Sequence, residues 1–270
     1  MPDLLGCDFS SSPTQRKPIV LACGKRRGDA VLLDRIETFT TLASFGERLT
    51  QAGDWVGGFD VPFGLPRELV EHLGWPLQWA DCMAHYCGLT RAQIRETFAA
   101  FCDARPAGGK FAHRAFDKQA GSSPSMKWVN PPVAYMLHAA VPLLLQAGVH
   151  LPGLHAGDPR RVALEAYPGL LARELIDRRS YKSDDAAKQT PERLIARKDL
   201  LEALEAGRTR LSLRLKLTHA QRDALVADAR GDSLDAVLCL VQAAWAERVG
   251  PPSWGLPPQV DPLEGWILTA

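Results

Sequence analysis

The first third of the chain alternates short apolar runs with turn-forming residues, a pattern typical of β-strands. The apolar runs cover residues 4–9, 18–23 and 30–39, and the glycines and basic residues of 24–28 predict a turn between the second and third runs. Two tight connections in succession predict an antiparallel meander of three strands.

A helix and a fourth strand follow the meander. Apolar residues recur at helical spacing within residues 41–52, and an apolar run over 55–59 leads to Asp60. A helix between two strands has the length that a parallel crossover requires. We therefore expect the fourth strand to lie parallel to the first and beside it.

The rest of the chain is largely helical, with one more strand. Residues 66–151 have helical patterns broken by turn residues, which predicts a helical and loop insertion, or cap, over 67–155. Residues 161–167 predict a fifth strand. Helical spacing then returns in four segments: 170–178, 192–205, 218–230 and 232–248.

These elements predict an α/β fold with a mixed five-stranded sheet, in which three antiparallel strands join parallel strands and helices flank the sheet. We expect one domain over residues 1–270. The hydrophobic fraction of 46%, the charged fraction of 23% and the net charge of +1 are ordinary for a soluble globular protein. The six cysteines form no CxxC pair and indicate reduced thiols. With no signal-peptide pattern and no long apolar run, we expect a cytoplasmic protein without a membrane partner.

Two aspartates lie at the ends of predicted neighbouring strands. Asp8 is near the end of the first strand, and Asp60 ends the fourth. The carboxyl ends of neighbouring parallel strands meet at one edge of a sheet, where ligands of open α/β folds bind. A carboxylate in an apolar strand is costly unless it is paired, hydrogen-bonded or metal-bound. Asp60 has the alternative of capping the turn that follows it.

Three further carboxylates are candidates for the same site. Glu165 lies on the fifth strand, and Asp232 and Asp235 open the last helix on one face. Asp232 could instead be a helix N-cap, and Glu165 could pair with Arg161 or Arg173. Together, however, carboxylates on two central strands and on a helix would repel one another unless cations neutralise them. Mg²⁺ prefers such hard oxygen ligands.

This arrangement resembles the ribonuclease-H-like superfamily, particularly Holliday-junction resolvases, which have an acid on the first strand, another on the fourth, and a last helix that opens with Asp-x-x-Asp. Resolvases typically carry Glu at the fourth-strand position, where this chain has Asp60. The chain is also similar to the domain of unknown function 429 family, described as predicted nucleases of ribonuclease H fold. Five segments carry the resemblance, in order: 6–10, 58–66, 164–168, 232–236 and 264–267.

The resemblance implies metal-dependent hydrolysis of phosphodiester bonds in nucleic acid, DNA or RNA, with two Mg²⁺ or Mn²⁺ ions about 3.5–4 Å apart. It implies that Asp8 bridges both ions, and that Asp60 and Asp235 each hold one. Asp232 or Glu165 would complete the set. Candidates for binding the substrate, among which the sequence does not choose, are Ser10, Arg160, Arg161 and Lys182.

Two other functions remain open from the sequence. Residues 6–12 also resemble the first phosphate loop of actin-like and sugar-kinase ATPases, which predicts ATP-dependent phosphoryl transfer. Pro62 weakens that alternative, because it lacks the N–H that a second phosphate loop would need. The third hypothesis is a non-catalytic nucleic-acid-binding protein that keeps the fold, with Trp75, Trp79 and Trp128 stacking on bases.

Overall fold

The predicted meander is present at the start of the chain, and its second strand is longer than the pattern indicates. Strands β1 (Asp3–Asp8), β2 (Ile19–Arg27) and β3 (Ala30–Phe39) pair antiparallel in sequence order. The predicted turn over residues 24–28 is wrong, because β2 continues to Arg27 and the chain turns only at Gly28 and Asp29. A register shift between Cys23 and Gly24 lets the strand pairing continue past the apolar run.

The computed structural model describes residues Met1–Ala270 and has a mixed sheet of seven strands, not five. The other four strands are β4 (Trp55–Asp60), β5 (Val149–His150), β6 (Asp158–Glu165) and β7 (Arg214–Lys216). Their order in the sheet is β5-β6-β4-β1-β2-β3-β7. As predicted, β4 lies beside β1 and parallel to it. The prediction missed β5 and β7 because two or three residues are too short to display an alternating pattern.

Ten helices cover the two faces of the sheet. They are α1 (Leu42–Thr50), α2 (Arg67–His72), α3 (Trp79–Cys87), α4 (Arg91–Asp103), α5 (Ala115–Ala120), α6 (Val133–Gln146), α7 (Pro168–Ile176), α8 (Pro191–Glu205), α9 (His219–Ala227) and α10 (Asp232–Val249). One apolar core joins α1–α4 and α6 to one face, and a second joins α7–α10 to the other. None of these helices combines the length and apolar composition needed to cross a bilayer.

The segment predicted as an insertion, residues 67–155, contains helices α2–α6 and also strand β5. Strand β5 pairs parallel with β6 and forms one edge of the sheet. Helices α2–α4 and α6 of this segment pack on the core that includes Leu5, Cys7 and Phe59 from the central strands. The segment therefore covers one face of the sheet and contributes a strand to it.

Candidate active site

Asp8 and Asp60 are direct neighbours at the carboxyl ends of β1 and β4. They are partners in the parallel register of the two strands, which lie about 4.8 Å apart. Residues paired in this way direct their side chains to the same face of the sheet. The two carboxylates therefore lie side by side, as the sequence predicts.

Two glycines on the same face let helix α10 approach this edge. Gly6 and Gly58 are also register partners, two residues before Asp8 and Asp60. A Cβ added at Gly6 would lie 2.1 Å from the carbonyl oxygen of Ala236 in α10. Because residues two apart share a face of a strand, the first turn of α10 is brought over the two aspartates.

That first turn contributes Asp235, whose side chain is completely buried. One carboxylate oxygen accepts a hydrogen bond from the hydroxyl of Tyr181, and the other accepts one from the ammonium of Lys182. Lys182 is 42% exposed, so its ammonium connects the buried carboxylate with the surface. We call Asp8, Asp60 and Asp235 the carboxylate cluster. Asp235 is the one member whose two oxygens both have protein partners.

Asp232 lies beside this cluster and is not the cap of α10. The N-cap is Gly231, and the side chain of Asp228 accepts the N–H of Ser233 at 2.9 Å. Asp232 is buried, and burial raises the pKa of its carboxyl, an effect that Lys17 opposes.

Burial and the repulsion of like charges dominate the electrostatics of the cluster, and Lys182 offsets them only in part. Burial, followed by the charge of Asp235, raises the pKa of Asp60 to about 7, although Lys182 opposes the increase. The same causes, with Asp60 added, raise the pKa of Asp8 well above its ordinary range. The hydrogen bonds around the cluster go to Asp235, and the carboxylates of Asp8 and Asp60 accept none from the protein.

Glu165 is directed away from these aspartates. It is the register partner of Phe59, so alternation puts it on the opposite face of the sheet from Asp60. There the buried guanidinium of Arg114 binds it at 2.6 Å and binds Asp117 at 2.8 Å. The backbone N–H of Phe63 donates to Glu165 at 3.0 Å. Glu165 was a candidate metal ligand, and the structure gives it a protein partner of its own.

Neither arginine that the sequence offered as a partner for Glu165 contacts it. Arg161 pairs with Asp158, and Arg173 donates to backbone carbonyl groups at the C-terminal end of α5. Arg114 lies 51 residues before Glu165 in the sequence, so no local pattern connects the two.

The candidate substrate-binding residues are divided between two ends of the sheet. Arg161 pairs with Trp55 at the start of β4, whereas Asp60 is the last residue of that strand. Five residues of strand separate these positions, roughly 16 Å. Arg160, beside Arg161, binds Asp158. The structure therefore does not bring Arg160 or Arg161 to the aspartates.

Lys182 and Ser10 lie at the other end of the sheet, beside the carboxylate cluster. Lys182 contacts Asp235 directly. Ser10 follows Asp8 by two residues, is partly exposed, and its hydroxyl accepts the N–H of Ser12 at 3.4 Å. Tyr181 was not among the predicted site residues, although its place immediately before Lys182 could have suggested it.

A cleft of about 230 Å³ adjoins the cluster, and Asp60 and Lys182 are among the residues that line it. We call it the Asp60 cleft. Its other walls come from the loops around α5 and α6, from the end of β6 and from the C-terminal segment. These residues are Val61, Pro62, Arg114, Ser122, Ser123, Pro131, Val133, Met136, Glu165, Ala166, Tyr167 and Ile267.

The donor set of the cluster fits a hard divalent cation. The carboxylates of Asp8 and Asp60 have no protein donor, and their raised pKa values arise from burial and like charge that a cation would offset. In this conformation no three His, Cys, Asp or Glu side chains surround a common point that could hold a metal. Lys182 binds one oxygen of Asp235, the third carboxylate.

Comparison of the chain with protein-family models, with curated proteins and with solved structures finds no match. The assignment of a function therefore depends on the geometry and chemistry of this site.

Proposed function

We propose that this protein is a metal-dependent nuclease of ribonuclease-H-like fold that hydrolyses phosphodiester bonds of nucleic acid. The observation that carries the proposal is the convergence of Asp8, Asp60 and Asp235, from β1, β4 and α10, on one partly exposed edge of the sheet. The antiparallel β1-β2-β3 meander with β4 parallel to β1 supports the fold assignment. The cleft beside the cluster gives a substrate access to it.

Asp8 and Asp60 would hold Mg²⁺ or Mn²⁺, and Asp235 would join them once the ammonium of Lys182 has left it. Bound there, two such ions would supply an activated water and stabilise the charge of the leaving oxygen. Lys182, released from Asp235, would hold a phosphate oxygen at the mouth of the cleft. Tyr181 would keep Asp235 oriented through its hydroxyl during this exchange.

The test measures metal binding and cleavage on the same preparations. We expect the wild type to bind Mn²⁺ in a calorimetric titration and to cleave a DNA or RNA strand only when Mn²⁺ is present. Asp8→Asn and Asp235→Asn should abolish both, because each removes a carboxylate charge from the cluster. Asp34→Asn is the matched control, since Asp34 is exposed on β3. Equal cleavage by all four proteins would identify a contaminant and refute the proposal.

A second candidate function is a non-catalytic nucleic-acid-binding protein that keeps the fold. The observation that favours it is the contact of Lys182 with Asp235, which neutralises one carboxylate without a metal. Nucleic-acid binding without any heat of Mn²⁺ binding would support this second function over the nuclease.

A further inference from the structure

The Asp60 cleft adjoins the carboxylate cluster, so a ligand that enters it lies beside Asp60 and Lys182. Asp60 belongs to both the cleft and the cluster, and Lys182 binds Asp235. The chemistry of the cleft walls therefore indicates which part of a substrate can enter, given the nuclease function proposed above.

The buried arginine in the cleft wall cannot recognise an anion. Arg114 has five N–H donors, and all of them have partners. Its Nε donates to Asp117, its Nη1 donates to Glu165 and to the carbonyl oxygen of Glu264, and its Nη2 donates to Asp117 and Glu165. Two carboxylates compensate the one guanidinium, so this wall offers no free positive charge.

Lys182 is the cation in the cleft with unused donors. An ammonium has three N–H groups, and Lys182 gives one to Asp235. The anionic part of a ligand therefore belongs beside Lys182, which lines the cleft together with Asp60. The same position is where the cluster would act on a phosphate.

The remaining walls are apolar, with a few hydroxyl groups. The apolar lining residues include Val133 and Met136 from α6 and Ile267. Ser123 and Tyr167 supply hydroxyl groups. The volume of about 230 Å³ is below the range of roughly 300–1,000 Å³ for pockets of drug-sized ligands. A nucleotide in a cleft of this size would stay partly exposed, and a paired base, which brings its partner strand with it, would not fit.

We infer that the Asp60 cleft binds one nucleoside monophosphate unit, with the phosphate beside Lys182 and Asp60 and the nucleoside between the α6 and β6 walls. This inference deepens the proposed nuclease function and rests on it. The unit is either a free nucleotide or an unpaired nucleotide of a strand. Enzymes that act on nucleotides inside a duplex commonly extrude them into such a pocket.

The test fills the cleft and measures nucleotide binding by calorimetry. Val133→Trp puts an indole into the cleft from α6, and Ser123→Trp does so from the loop after α5. Val129→Trp is the matched control, because Val129 lies four residues before Val133, is exposed and does not line the cleft. The ligands are the four deoxynucleoside 5′-monophosphates and the matching nucleosides, each in EDTA and in Mn²⁺. None of them contains a phosphodiester bond, so cleavage cannot interfere.

We expect the wild type and Val129→Trp to bind the nucleotides equally, and at least one cleft-filling variant that retains the wild-type circular dichroism spectrum to bind them about tenfold or more weakly. In Mn²⁺, the wild type should bind each nucleoside more weakly than the matching nucleotide. If folded Val133→Trp and Ser123→Trp both bind like the wild type, or if no nucleotide binds the wild type at millimolar concentration, the inference is wrong.

Oligonucleotides in EDTA then distinguish the two sources. A single strand of about eight nucleotides that binds much more tightly than the mononucleotide identifies the strand as the ligand, and equal affinities identify the free nucleotide. Val133→Trp and Ser123→Trp should lower the affinity for a blunt duplex less than the affinity for the single strand. An equal loss of affinity for both would contradict the requirement for an unpaired nucleotide. If the tryptophan variants block nucleotide binding but the wild type shows no Mn²⁺-dependent cleavage, the nuclease function is refuted and nucleotide binding in the cleft is supported. If the wild type cleaves but the tryptophan variants bind nucleotides unchanged, the nuclease function is supported and nucleotide binding in the cleft is refuted.

Discussion

At the scale of single residues, Lys182 is the cation that pairs with the buried carboxylate of Asp235. Asp235 is completely buried, and Lys182 and Tyr181 together satisfy its two oxygens. Asp8 and Asp60 have no such partner. A metal that binds all three carboxylates must therefore compete with the ammonium for Asp235.

We predict that Lys182→Met destabilises the metal-free protein by about 1–2 kcal/mol, less than the roughly 3–5 kcal/mol for a fully buried ion pair, because Lys182 is partly exposed and solvent screens its charge. Mn²⁺ should recover much of this loss, because it neutralises the same carboxylates. Thermal unfolding in EDTA and in Mn²⁺ measures both effects. Lys188→Met is the control, since Lys188 forms an exposed pair with Asp185 and should change little in either buffer. A variant as stable as the wild type in EDTA would exclude this role for Lys182.

We also predict that Asp8→Asn makes the metal-free protein more stable, by about 1–2 kcal/mol. The substitution removes a carboxyl group whose pKa is raised well above its ordinary range, first by burial and then by the charge of Asp235, so its ionisation opposes folding at pH 7. Urea unfolding at pH 7 in EDTA measures the difference, with Asp34→Asn as the control. Destabilisation by Asp8→Asn would mean that its carboxylate is compensated in the folded protein.

At the scale of elements, the site depends on how closely helix α10 approaches the sheet. The absence of side chains at Gly6 and Gly58 allows backbone contact between α10 and the central strands. This contact puts the first turn of α10 over the ends of β1 and β4. Either glycine could be noted in the sequence, but only the packing explains why both positions need it.

We predict that Gly6→Ala destabilises the protein by about 3 kcal/mol or more, because the new Cβ would lie 2.1 Å from a backbone oxygen of α10 that cannot move independently. Mn²⁺ binding should weaken in parallel, since a displaced α10 moves Asp235 away from the two strand aspartates. Gly109→Ala is the control, with its nearest neighbour 3.9 Å away in a loop. Denaturant unfolding and Mn²⁺ calorimetry are the measurements. Unchanged stability in Gly6→Ala would contradict the close contact.

At the scale of the whole molecule, the C-terminal segment holds remote parts of the chain together. Asp261 accepts two hydrogen bonds from Arg67, at 2.6 and 2.7 Å. Glu264 accepts the backbone N–H groups of Arg67 and Ala115 at 2.7 and 2.8 Å. Because Ile267 lines the Asp60 cleft, this segment joins the start of α2, the start of α5 and the candidate site.

The pairing of Asp261 with Arg67 predicts a pH dependence. Burial raises the pKa of Asp261, but the hydrogen bonds and charge of Arg67 outweigh burial, and the pKa is lowered overall. The pair therefore stabilises the protein above the ordinary carboxyl pKa of about 4, and this stabilisation is lost as the pH falls through the lower folded value.

We expect Arg67→Met to cost up to about 1 kcal/mol at pH 7, because both side chains are partly exposed and screened. The difference from the wild type should shrink below pH 4. Urea unfolding at several pH values measures it, with Arg95→Met as an exposed control. A difference that is independent of pH would show that Arg67 acts through packing alone.

The sequence by itself determined the elements and residues whose cause is local. Apolar alternation and turn residues defined the meander and β4, and crossover length made β4 the parallel neighbour of β1. From these followed the adjacency of Asp8 and Asp60. The Asp-x-x-Asp opening of α10 marked Asp235, because an acid on the apolar side of a helix requires a partner.

Only the tertiary structure decided which charges neutralise which. Strand alternation turned Glu165 to the other face, where Arg114 binds it, and strand direction put Arg160 and Arg161 at the far end of the sheet. Lys182 and Tyr181 meet Asp235 across more than 50 residues of chain. Such pairings depend on distances through space, which a one-dimensional pattern does not contain, and so do the short strands β5 and β7, which the sheet stabilises by pairing.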